Sequence, residues 1–184
     1  MYIPSIRSRF MAFAVVMSAA IAAPASADSK ANLEGTSKAA LNKLVAKVPA
    51  ASTLNGKAVA VLVFPSITKA GFGIGGQYGE GVLWRGGKAV GYYSTAGASY
   101  GLQAGAQKYG YAMFFMNENA LNALTKGEGF EVGVGPSVVL VDEGMAKFVT
   151  TTTAQNDIYA FIFGQQGLMA GLGIQGNKIS RLDK

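Results

Sequence analysis

The stretch KAGFGIGGQYGEG, Lys69 to Gly81, decides how the chain is read. Its Gly71, Gly73 and Gly76 satisfy G-x-G-x-x-G, the fingerprint of a dinucleotide-binding turn. Such a turn works only between a strand and a helix, because the pyrophosphate must meet the helix N-terminus. After Gly76 the chain continues QYGEGVLW, which has strand-like alternation and no helical stripe. Gly171, Gly173 and Gly176 match the pattern a second time, again beside strand-like residues. The shared cause is alternation. Gly71, Gly73 and Gly75 lie on one strand face opposite Phe72 and Ile74, and Gly171 and Gly173 alternate with Leu172 and Ile174. Gly133 and Gly135 alternate with Val132 and Val134, and Gly101 and Gly105 share a face of a fourth strand. Glycine on one face lets another backbone come close or lets a sheet bend sharply. The glycines therefore predict a strongly curled sheet, not a cofactor loop.

Outward from this stretch the strand pattern dominates. Ala58 to Phe64, AVAVLVF, is a continuous apolar run of strand length. Short period-two segments follow over 71–78, 81–85, 89–94, 100–116, 130–134, 138–141, 147–153, 158–163 and 168–174. Arg85-Gly86-Gly87-Lys88 reads as a hairpin turn. Asn117 to Leu124, NENALNAL, interrupts the strands as a short helix near 117–126, with Asn117 as N-cap and Gly127 past its end. Asp28 to Val48 reads as a helix. Leu41, Leu44, Val45 and Val48 form its apolar stripe, Lys43 and Lys47 share another face, and Pro49 ends it. The fold class is α+β: an N-terminal helix packed on a strongly curled, largely antiparallel, glycine-rich and barrel-like sheet.

The first 27 residues are set apart from the fold. Arg7 and Arg9 precede the apolar run Phe10 to Ala23, and Ala25-Ser26-Ala27 supplies the small-residue cleavage pattern. The run is shorter than the roughly 20 residues of a membrane span. It predicts a signal peptide over 1–27, cleavage after Ala27 and a periplasmic or secreted protein. The organisation is then a helix over 28–48 and a domain over 49–184, forming one unit.

Composition narrows the chemistry. The chain of 184 residues is 50% hydrophobic and 14% charged, with neither Cys nor His. Disulfides, thiolate chemistry and the commonest general base are therefore excluded. Gly97-Ala98-Ser99-Tyr100-Gly101 fits the nucleophile elbow G-x-S-x-G, but no histidine exists to take the proton of Ser99. Ser66-Ile67-Thr68-Lys69 fits S-x-x-K without its partner motifs. The carboxylates Glu128, Glu131, Asp142, Glu143 and Asp157 are few and scattered, and no calcium-loop pattern occurs. The expectation is a protein that is not an enzyme and has no metal or cofactor. The formal charge is +6, and fourteen basic and ten acidic residues remain without Arg7 and Arg9. That mild bias suits an anionic surface and is too dispersed for nucleic acid.

Several spaced motifs together resemble the SYLF domain family. They are Pro49 and Leu54; Lys57-Ala58-Val59-Ala60-Val61; Lys69-Ala70-Gly71-Phe72-Gly73; Gly76; and Gly79-Glu80-Gly81-Val82. Gly97, Gly101, Gln103 and Gly105, then Met116-Asn117, continue the match. Gly167 to Gly176, GLMAGLGIQG, resembles the closing motif, with Met169 for the usual Phe and Gln175 for the usual Glu. The resemblance runs from about Lys38 to Leu182. It implies lipid binding, which eukaryotic relatives direct at phosphoinositides partly through a basic amphipathic N-terminal segment. Yeast members also bind and bundle actin, a partner that an exported chain meets only inside a host.

The candidate lipid-binding residues are Lys43 and Lys47 on the helix, with Lys57, Lys69, Arg85, Lys88 and Lys178 expected at strand ends or turns. Two modes follow, either docking of the basic helix on anionic phospholipid headgroups or an acyl chain held inside the curled sheet. The competing reading is a cell-envelope structural or interaction protein, in which Tyr92, Tyr93, Tyr100, Tyr109 and Tyr111 serve only the core.

Overall fold

The hairpin turn organises the molecule. In the computed structural model, which describes residues 29–127, 129–141, 155–167 and 176–184, Gly86 and Gly87 adopt φ of +55° and +78°. Two consecutive positive φ values match the twist of a tight hairpin, and only glycine adopts them without strain. The turn joins β1 (Ala60–Arg85) to β2 (Lys88–Phe115), strands of 26 and 28 residues. Strands of five or six residues are usual. The short segments expected from 71 to 116 are thus pieces of two continuous strands, which pair antiparallel along their whole length.

Ribbons this long close on themselves only by bending. The register shifts between Phe64 and Ile67, between Phe72 and Ile74, and between Leu83 and Trp84. At the middle shift the β2 partner moves from Ala104 to Tyr100. Here Gly71 approaches Gly75 so closely that a Cβ on Gly71 would lie 2.3 Å from the Gly75 Cα. Beyond the bend the second half of β1 returns over the first: a Cβ on Gly81 would lie 2.6 Å from the Val63 carbonyl oxygen. Residues 60–85 form one strand with no helix after the glycines, as the reading against a dinucleotide loop required.

The sheet continues on both halves of β2. Its end pairs with β5 (Ile158–Gly167), and its beginning pairs with β6 (Lys178–Leu182). β3 (Phe130–Glu131) adds to β6, and β4 (Val138–Leu140) pairs with β5 in the one parallel contact among the described strands. The result is a curled, largely antiparallel sheet of six strands among the described residues.

Each face has its own core. The inner face gathers Leu62, Phe64, Ile67, Tyr93, Tyr109, Tyr111 and Met113 against α3 (Glu118–Lys126). The outer face packs Val61, Val63, Val82 and Trp84 under α1 (Lys30–Lys47) and α2 (Pro49–Asn55). Tyr92, Tyr93, Tyr109 and Tyr111 are all buried, as a core role requires. Ser29 caps α1 by accepting from the Asn32 amide, and Asn117 caps α3 by accepting from the Ala120 amide at 2.9 Å. Asn117 also donates to Asp157, whose carboxylate accepts from the Ser137 amide and hydroxyl. These three bonds hold the Asp157 pKa below the ordinary carboxylate value.

Several expectations are corrected. Pro49 does not simply end α1. It begins α2, where its fixed φ and missing N–H suit the first helical turn. The buried stripe of α1 is Leu33, Ser37, Leu41 and Leu44, with Val45 only partly covered. The strand expected over 130–134 stops at Glu131, because Gly133 and Gly135 take φ of +98° and +93°. β6 was not anticipated. The signal segment, Glu128, Asp142, Glu143, the strand expected over 147–153, the side chains of 99–104 and residues 168–175 of the closing motif lie outside the described residues.

Candidate functional site

α1 meets the outer face of the sheet along one register. Ser37 is fully buried; its hydroxyl donates to the Val63 carbonyl at 3.4 Å and accepts the Trp84 indole N–H at 2.9 Å. Lys38 lies over the Trp84 ring, 4.9 Å from its centroid, and Lys30 lies over Tyr92. The Tyr92 hydroxyl donates to the Glu34 carboxylate, and that bond, with burial second, pushes the Tyr92 pKa up to about 12. These contacts fix the helix along one flank and leave a channel along the other.

That channel is the candidate site. A groove of about 500 Å³ runs between α1 and the sheet, floored by Ala39, Ala40, Leu44, Val48, Pro65 and Phe163. The exposed residues Lys43 and Lys47 also line it. The volume falls in the roughly 300–1,000 Å³ range of small-ligand sites. Pro65 sits at the first register shift of β1, where the strand lacks a ladder donor, and Phe163 arrives on β5 beside Gly164 at φ +64°. Past Ala39, Ala40 and Pro65 the groove continues into a second depression of about 630 Å³, bounded by Thr68, Tyr78, Glu80 and Lys108. Glu80 is engaged there by Lys184 at 2.7 Å and by the Tyr78 hydroxyl at 3.1 Å. Apolar walls with cations at the edge can hold a chain-like apolar group whose head is anionic.

The structure separates the seven basic candidates. It brings Lys43 and Lys47 together on the groove. Lys57 is exposed in the connection from α2 to β1, and Lys178 is exposed at the start of β6. Arg85 and Lys88 flank the hairpin turn as expected, and Arg85 forms an ion pair with Glu118 at 2.5 Å. Lys69 corrects the expectation. It lies inside β1, not at a strand end, and is only 5% exposed. Its cross-strand partner is Gln107, so alternation carries both to the inner face. Lys108, one residue on, faces outward along the groove; it was missed, although the same alternation marks it.

Lys69 and Gln107 belong to a polar layer on the inner face. Tyr109 donates to the Gln77 side-chain oxygen, the Gln77 amide donates to Asn177, and Tyr111 donates to Thr95 at 2.8 Å. Burial pushes the Tyr109 pKa up to about 12 and drives that of Tyr111 higher still. Among the described residues, the side-chain oxygen of Gln107 and the amide nitrogen of Asn177 lack a hydrogen-bond partner. Buried water commonly satisfies such atoms.

Catalytic groupings do not emerge among the described residues. Glu34, Glu80, Glu118 and Asp157 each engage a structural partner, and no cluster of three metal-ligating side chains forms there. A family model described as Ysc84, Las17-binding protein actin regulator, matches residues 96–184. The match takes in most of β2, α3 and β3 to β6, while α1 and β1, which build most of the groove, precede it. No curated protein matches the chain.

Proposed function

Residues 96–184 place this chain in the SYLF domain family, and from that premise we propose that it binds an anionic lipid in the groove between α1 and the sheet. The single observation that carries the reading is the pairing of an apolar floor with Lys43 and Lys47 on one groove. An acyl chain fits against Ala40, Leu44, Pro65 and Phe163, and a phosphate-bearing headgroup meets the two ammonium groups. This reading differs from both modes open in the sequence: the helix stays packed on the sheet and presents its lysines beside an apolar slot outside the sheet. Insertion of the α1 stripe into a bilayer is disfavoured, since Leu33, Leu41 and Leu44 already belong to the outer core.

The protein acts by binding, without catalysis, after export to the periplasm or beyond and removal of residues 1–27. Support for the binding role comes from the absence of His and Cys in the chain and from the structural engagement of Glu34, Glu80, Glu118 and Asp157. Support for export comes from Arg7, Arg9, the apolar run and the Ala25-Ser26-Ala27 pattern. The family description names a protein partner, so an amphipathic protein segment is the second candidate for the same groove.

Titration with a fluorescent phosphatidylglycerol tests the reading. Each basic residue near an anionic headgroup contributes about 1 kcal/mol. Lys43→Glu with Lys47→Glu should therefore weaken binding well over tenfold at low salt and leave the melting temperature unchanged. Equal affinity in the double variant would overturn the groove assignment. Absence of any lipid binding by the wild type would move the groove to a protein ligand.

A further inference from the structure

Folded on itself at the bend, the long hairpin has an outer face that is covered at one end and bare at the other. Where α1 lies across it, Val61, Val63, Val82 and Trp84 are buried. Towards the bend the same face carries Phe72, 87% exposed, Ile74, 69% exposed, and Tyr78, 43% exposed. Among the described side chains, small exposed residues lie near them, Ala70 and Gly76 on β1 with Ala98 and Ala106 on β2. Two large apolar side chains this exposed, side by side on one strand face, mark a contact surface.

Charge selects the occupant. Neither 66–79 nor 89–116 contains a single Asp or Glu. Lys108 is the basic residue of this outer face nearest the bend on β2, exposed opposite Thr68. The surface is also continuous with the groove, because Thr68, Tyr78 and Lys108 bound its second depression. An apolar tip without carboxylates, a lysine behind it and a depression that leads from it to the apolar groove, its one carboxylate Glu80 paired with Lys184, fit the boundary between anionic headgroups and acyl chains.

We propose that the bend of the β1–β2 hairpin is a membrane-insertion element: Phe72 and Ile74 enter the headgroup–acyl boundary of an anionic bilayer, and Lys108 rests on the phosphates. This inference rests on the lipid-binding reading. It gives that site a geometry, since insertion of the bend brings the groove mouth at Tyr78 to the bilayer surface. Lipid then passes between bilayer and groove without crossing water.

The absence of cysteine makes the test direct. Ile74→Cys, labelled with an environment-sensitive nitrobenzoxadiazole, is mixed with phosphatidylcholine vesicles that contain phosphatidylglycerol. Val90→Cys, on β2 beside the hairpin turn, serves as the distant control. The label at 74 should shift to the blue and be quenched by a lipid carrying a nitroxide on its acyl chain; the label at 90 should do neither. Phe72→Ser with Ile74→Ser should lower sedimentation with these vesicles more than tenfold at an unchanged melting temperature. If the protein sediments with vesicles while the label at 74 stays in water, the bend is not inserted and the lipid reading survives. If the wild type ignores vesicles and soluble lipid alike, both fall. A blue shift that grows with protein concentration without vesicles would give the face to a second copy of the chain and overturn the proposal.

Discussion

Folded on itself at the bend, the β1–β2 hairpin has two ends that are built from the same strands and meet opposite fates. At one end, where the bend brings the start of β1 beside the turn, the outer residues lie beneath α1, where Trp84 donates to Ser37 and Val63 accepts from it. At the bend end the outer residues face solvent, and Phe72 and Ile74 are the most exposed large apolar side chains among the described residues. Alternation is equally regular in both. The difference lies in what arrives from elsewhere in the chain: a helix of 18 residues reaches one end only. A strand pattern therefore specifies which side chains share a face, whereas the partner of that face is a property of the assembled molecule.

Three variants break or sharpen this contrast. The largest effect belongs to the covered end. Trp84→Ala removes a buried ring, its bond to Ser37 and the surface under Lys38, and should cost about 3–5 kcal/mol in urea unfolding. A loss below about 1 kcal/mol would mean that α1 is not held by this contact.

The bend itself comes next. Gly71→Val sets a branched side chain against the Gly75 backbone, which cannot rotate away as a side chain could. Destabilisation by roughly 1–3 kcal/mol is expected. Gly76→Ala is the control, because a Cβ there meets only the Gly97 carbonyl oxygen at 3.9 Å, an ordinary contact. Equal melting temperatures for Gly71→Val and wild type would show that the bend opens freely.

The smallest effect is expected at the exposed face. Phe72→Ser removes an aromatic ring that is almost fully in solvent, so stability should move by less than about 0.5 kcal/mol. A loss comparable to that of Trp84→Ala would show that this face is covered in solution, and the contrast between the two ends would disappear.

Local chemistry made much of the fold legible. Arg85-Gly86-Gly87-Lys88 announced its turn because two adjacent glycines are what a tight hairpin needs. Asn117 announced α3 because its side chain can accept the first free amide of a helix. The segments from 71 to 116 gave no sign that they were two strands, since a bulge interrupts alternation in sequence without breaking the ladder in space. Lys69 illustrates the limit most sharply. A lysine is expected in water, yet the register with Gln107 and the curl at Gly71 turn it inward.

The candidate site was half legible. Lys43 and Lys47 were readable as neighbours because a helix places residues four apart on one face. Their apolar companions were not. Pro65 and Phe163 are separated by nearly a hundred residues and meet only because β5 pairs with the far half of β2, beside β1. By itself the sequence determined the α+β class, the hairpin turn, the capped helix and the structural role of glycines such as Gly71, because each rests on contacts within a few residues. Only the tertiary structure decided which face α1 covers, which lysine is buried, where the groove runs and which apolar side chains stay exposed. Those outcomes depend on surfaces brought together from distant parts of the chain, where hydrophobic burial is non-directional and leaves no local signature.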